Sequence, residues 1–182
     1  MHTSPPDSAL LGIYLNDHLA GAIAETELAK RVAGAERDRD PSGVLDKLAQ
    51  EIADDRAALL TVMAALGVPV RRYKAIAAWA VEKAARLKPN GRLVSRSPLS
   101  RVVEFEALRL GVEGKAAGWR TLRVRADSDP RIDAGRLDNL IKRARRQIDE
   151  IEEFRAQAAA EAFGGDAQPA KPSDVGGEPV RP

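Results

Sequence analysis

Cysteine is absent from all 182 residues, which excludes disulfides, thiolate metal sites and cysteine nucleophiles. Histidine is nearly absent: of the two, His2 lies in a Pro-containing lead and only His18 lies within a patterned segment. Aromatic residues make up 4% of the chain, too few rings to favour base stacking on single-stranded nucleic acid. No stretch approaches the roughly 20 apolar residues of a membrane span. Residues 1–6 lack the basic and apolar regions of a signal peptide, so we expect a cytoplasmic protein with no membrane span. The P-loop, the dinucleotide-binding glycine fingerprint and the G-x-S-x-G elbow are all missing. The serine-rich stretch at 95–100 has no nearby histidine for a triad. Nothing supports a hydrolase, a kinase or a dehydrogenase, no catalytic residue is assigned, and the pattern points away from an enzyme.

What is present is charge and helix-forming aliphatic sequence. Charged residues make up 31% of the chain but nearly cancel, at a formal +2. That describes a well-solvated surface rather than a polyelectrolyte. Alanine and leucine are abundant, and valine and isoleucine are scattered rather than alternating, which favours helix. The length suits one domain with a core large enough to need no staples.

The stretch Ser97-Pro98-Leu99-Ser100-Arg101-Val102-Val103-Glu104-Phe105-Glu106 reads as a helix start, with Ser97 as N-cap and Pro98 at the first helical position. Leu99, Val103, Glu106 and Leu110 recur at helical spacing, which would place Glu106 within an apolar stripe. A carboxylate there must be protonated, paired or bound. This helix is expected to reach about Val124. Phe105, Leu108 and Val112 lie off the stripe, and Gly111, Gly114 and Gly118 suggest close helix approach.

Three further long helices are expected. The first runs from about residue 8 to Arg31, with Leu11, Leu15, His18, Ala22, Glu25 and Ala29 on one face and Leu19 and Thr26 beside it. Gly34 and the charged run at 36–39 interrupt it. Asp40-Pro41 then opens a second helix to about Leu66, with Leu45, Leu48, Ile52, Asp55, Leu59, Val62, Met63 and Leu66 in its stripe. Gly67 supplies a stop. The last helix follows Asp133 as cap and extends to Phe163, with Leu137, Leu140, Ile141, Ala144, Ile148, Ile151 and Phe154 inward and Gln147 at the edge. Its charge pairs, such as Arg145 with Asp149 and Arg146 with Glu150, read as ordinary surface stabilisation. A shorter helix over 70–87 and the loop to Arg96 form a long connection of the kind some bundles use as a crossover. Residues 1–7 are expected to be loose, 8–163 to form the bundle domain and 164–182, rich in Gly and Pro, to be disordered.

Four long helices, a crossover between the second and third, and polar residues on inner faces resemble the ferritin-like four-helix-bundle superfamily. The likeness is to bacterial members that lack the paired Glu-x-x-His di-iron motifs, since neither pair occurs here. The resemblance implies an all-α ferritin-like bundle with a short crossover helix. It also implies metal-centre positions near His18 or Glu25, at Asp55, at Glu106 and at Gln147.

Three functional readings follow. In the first, the protein is a non-enzymatic scaffold or interaction protein with a metal-less polar core that includes Glu25 and Gln147. Its partner is an unidentified protein, and a homodimer is compatible with a bundle. In the second, His18, Asp55 and Glu106 bind a divalent metal. The bland counterpart is a core histidine hydrogen-bonded to carboxylates, with no cofactor. In the third, the basic segment at 71–101, with Arg71, Arg72, Lys74, Arg86, Lys88 and Arg92, binds nucleic acid or an acidic partner. Its bland counterpart is a solvated helix, in which Arg96 and Arg101 can also turn inward to pair with carboxylates.

Overall fold

The computed structural model describes residues 6–71 and 97–164. They form four helices: α1 (Pro6–Glu36), α2 (Val44–Ala65), α3 (Pro98–Ala126) and α4 (Ala134–Phe163). No strand occurs among the described residues. The helix expected over 70–87 lies outside them except for Val70 and Arg71, which are not helical. The tail after Gly164 and basic-segment residues Arg72, Lys74, Arg86, Lys88 and Arg92 also lie outside.

The helix ends follow local chemistry. Asp40 accepts the Leu45 N–H at 2.7 Å and the Ser42 hydroxyl at 2.7 Å. The capping carboxylate therefore acts across a Pro41-Ser42-Gly43 turn, and α2 begins at Val44 rather than directly after Pro41. Gly43 adopts a left-handed conformation at φ 71°. Gly67 does the same at φ 69°, and the following Val68 N–H bonds the Met63 carbonyl at 2.9 Å, closing α2. Asp133 caps α4 through the Arg136 N–H at 3.0 Å. Ser97 occupies the N-cap position of α3 with Pro98 following, but its hydroxyl makes no cap bond.

Contacts between helix ends give the topology. Arg101, at the start of α3, meets Glu36 at the end of α1 and Glu161 near the end of α4. At the opposite end, Asn16 of α1 bonds the Pro69 carbonyl and the Arg71 N–H just after α2, at 3.2 and 2.9 Å. The α3–α4 turn reaches the same end, where Arg131 lies 3.5 Å from the Leu66 carbonyl. The helices therefore run up, down, down and up. α2 ends and α3 begins at opposite ends of the bundle. α1 packs on α2 and α3, α3 on α4, and side chains join α2 to α4.

The apolar interior is divided in two. One cluster gathers Val32, Leu48, Ile52, Phe105, Leu108, Val112 and Ile151. The other gathers Leu15, Leu59, Met63, Trp119, Leu122 and Leu137. On α1 and α2 the residues between the two clusters include Glu25 and Asp55, both buried.

The stripe residues expected on α2 are all buried, Asp55 among them. α1 continues past Arg31 to Glu36, because Val32 and Ala33 are buried and Glu36 is paired; those contacts outweigh the low helix propensity of the exposed Gly34. The α3 expectation needs correction. Leu99 is 53% exposed, Leu110 is 69% exposed, and Glu106 faces solvent. The inner face instead carries Val102, Phe105, Leu108, Val112, Ala116, Trp119 and Leu122. The larger aromatic groups decide the rotation of the helix, and the aliphatic stripe containing Glu106 is turned outward.

Arg101 and Glu36 form a buried pair, with Nη2 to Oε2 at 2.8 Å and Nε to both carboxylate oxygens at 3.0 Å. Arg101→Met should therefore cost about 3–5 kcal/mol in chemical denaturation, because it removes the buried guanidinium that joins α3 to Glu36 of α1 and Glu161 of α4. Glu106→Gln should change stability by less than about 0.5 kcal/mol. A reversed order of these two effects would contradict the assigned rotation of α3.

Candidate functional site

The polar layer between the apolar clusters is built from all four helices. Its centre is Lys115 of α3, whose side chain is 7% exposed. The ammonium lies 2.9 Å from Glu25 Oε1 of α1, 2.8 Å from Asp55 Oδ2 of α2 and 2.9 Å from Gln147 Oε1 of α4. Gln147 returns its amide N–H groups to Asp55 and Glu51, both at 3.3 Å. Arg143 donates to Asp55 Oδ1, and Arg146 bridges Glu51 at 2.7 Å and Glu150 at 2.8 Å. Asp55, with no exposed side-chain surface, thus meets Lys115, Arg143 and Gln147 together.

Local sequence explains why a lysine can sit here. Leu108, Gly111, Lys115, Gly118 and Leu122 are spaced by three and four residues, so they share one helix face. The glycines on either side of Lys115 admit side chains from α1. A Cβ on Gly111 would lie 3.3 Å from Glu25 Cγ, and one on Gly118 would lie 2.9 Å from the His18 ring. α1 therefore approaches closely enough for Glu25 to reach the ammonium.

The electrostatics follow from burial. Desolvation raises the Glu25 carboxyl above its usual range, and Lys115 opposes that rise by charge and hydrogen bonding. His18 is half-buried and its ring meets Tyr14 at a centroid distance of 4.4 Å with a 58° tilt. Desolvation lowers its pKa, partly offset by Asp17, which favours neutral imidazole at neutral pH.

The proposed trio of His18, Asp55 and Glu106 is not assembled. His18 and Asp55 line the same cavity, whereas Glu106 faces solvent and its charge acts on Arg155. No carboxylate hydrogen-bonds to His18 among the described residues. No group of three or more His, Asp or Glu side chains among the described residues is arranged to hold a metal ion. The donor set also fits a divalent ion poorly. Glu25 and Asp55 already contact Lys115, and Asp55 contacts Arg143, so an added cation would stand against fixed positive charge. Gln147, expected at the edge of the α4 face, is fully buried. Of the anionic-partner residues only Arg71 is described: it is exposed, and its backbone N–H is held by Asn16.

Sequence reasoning missed Lys115, Glu51, Arg143 and Arg146 as parts of this layer. The detectable signal was Lys115 in register with flanking glycines. Arg143 gave none, because it lies in a run of basic residues at 142–146 that looks uniformly solvated.

Lys115→Met should destabilise the fold by about 3–5 kcal/mol at neutral pH, because Glu25 and Asp55 would lose the charge they share. Glu25→Gln should behave differently. An acid whose folded pKa is raised contributes most to stability below its unfolded value of 4.5 and loses that contribution as pH rises through the folded value. The variant should therefore gain in thermal stability over wild type as pH rises, and match it in acid. A uniform loss at every pH would contradict the burial-driven shift.

Comparison of the chain with protein-family models, with curated proteins and with solved structures finds no match.

Proposed function

We propose that this is a non-enzymatic helical-bundle protein of ferritin-like layout, acting as a scaffold or interaction protein, in which a lysine takes the place that metal holds in that superfamily. The observation that carries the reading is the position of Lys115 Nζ, within 2.9 Å of oxygens from α1, α2 and α4. In a di-metal bundle, carboxylates converging from several helices are neutralised by bound cations. Here Glu25 and Asp55 converge in the same manner, and the chain supplies the positive charge itself. The up-down-down-up course supports the layout, since α2 and α3 run in the same direction as they do when a crossover joins the second and third helices.

The basic-surface reading draws no support from the described residues, because most of its side chains lie outside them. The metal-binding reading requires Glu106 to turn inward and Lys115 to leave the carboxylates.

Elemental analysis of protein purified from cells supplied with iron, manganese and zinc tests the proposal. The expected result is metal well below one equivalent per chain, unchanged in His18→Ala. Stoichiometric metal in the wild type that is lost in His18→Ala would overturn it.

A further inference from the structure

Beside the polar layer, a cavity of about 460 Å³ opens between α1 and α3, with Asp55 and Leu59 of α2 also contributing to its walls. Its size is within the range of small-molecule sites. Its walls are mostly apolar, formed by Leu15, Leu59, Leu122 and Trp119 with Tyr14 and Ala22. The backbone leaves this space open. Gly21 of α1 and Gly114 of α3 lie exposed at its mouth, where an added Cβ would meet nothing within 4 Å among the described residues. Gly111 and Gly118 are explained by the approach of Glu25 and His18, whereas Gly21 and Gly114 are exposed at the rim.

A second observation points to an occupant. Trp119 lines the cavity and is only 3% exposed, yet its indole N–H has no acceptor among the described residues. Buried donors of this kind normally have a partner. Glu25, also in the wall, meets the Lys115 ammonium at 2.9 Å through Oε1. A hydroxyl group can supply both an acceptor and a donor. The ionisable side chains lining the cavity are Asp17, His18, Glu25, Asp55 and Lys115, with His18 held toward its neutral form, so the wall carries an acidic excess that disfavours an anion. An ammonium head has no lone pair to accept the indole N–H, which leaves an uncharged oxygen as the head group that fits.

We propose that this cavity binds a small uncharged amphiphile, an apolar molecule ending in a hydroxyl, with its body against Leu15, Leu59 and Leu122 and its oxygen serving Glu25 or Trp119. The inference is independent of the scaffold reading, since it concerns the space beside the ion-pair layer.

Isothermal titration calorimetry of the full chain at neutral pH with 1-octanol, octanoate and octylammonium separates the outcomes. These probes share a chain length and differ in head charge. Octanol should bind saturably at one site, at least about tenfold more tightly than either ion. Gly114→Leu should abolish octanol binding by obstructing the cavity mouth, while circular dichroism shows helix content and a melting temperature no lower than wild type. Gly21→Leu obstructs the mouth from the opposite wall and carries the test if Gly114→Leu does not fold. The proposal is overturned by no saturable octanol binding to wild type. Equal or tighter binding of either ion, or undiminished octanol binding in a folded variant with the mouth obstructed, would also overturn it.

Discussion

A buried ammonium organises this bundle. Lys115 sits between two apolar clusters, where an uncompensated charge would be too costly to keep. It is kept because three helices bring oxygens to within 2.9 Å of it. Each contact constrains the helix that makes it: Glu25 sets the rotation of α1, Asp55 that of α2 and Gln147 that of α4. Sliding a helix by one residue would turn its polar member away from the ammonium. Such a layer adds less net stability than apolar side chains of the same volume would, because desolvation offsets much of the attraction. What it contributes is discrimination, since other packings of four amphipathic helices leave the charge unpaired.

The same logic recurs at the two ends. Arg101 ties the start of α3 to Glu36 and Glu161, fixing α1, α3 and α4 at one end. Asn16, fully buried, ties α1 to the backbone after α2 at the other. Between these points the apolar clusters supply most of the driving force for folding, in proportion to the surface they remove from water. Three polar fixings at the ends and the middle of a greasy bundle suit a topology in which α2 and α3 are parallel and no short hairpin sets their register.

Much of this was legible in the residues, and the failures have definite causes. The α2 stripe, the Asp133 cap and the Gly67 stop follow from periodicity and turn chemistry, and the structure contains each of them. The inward turn of Arg101, considered from sequence as one option for a basic residue, is realised against Glu36. The rotation of α3 was misread because aliphatic residues occur on two sides of it. Leu99 and Leu110 make a regular stripe, but Phe105 and Trp119 bury more surface and decide which side turns inward. Once Glu106 is outside, the polar centre has to be found elsewhere. Lys115 was passed over because the glycines beside it were read only as points of close helix approach, and the side chain between them was not considered. Gly111 and Gly118 are close-approach positions that admit the Glu25 and His18 side chains, whereas Gly114 is exposed. Arg143 could not have been singled out, since its neighbours carry the same charge and only the three-dimensional path of α4 brings it to Asp55.

The claim that Lys115 and Asp55 are energetically joined at the bundle centre is tested most directly by a double-mutant cycle. Lys115→Met, Asp55→Asn and the combination would be compared with wild type by urea denaturation. The account predicts a favourable coupling on the order of 2 kcal/mol, with the double variant more stable than the sum of the single losses implies. Additive losses, with coupling near zero, would show that the ammonium and the carboxylate do not share a charge-paired layer, and would contradict the account.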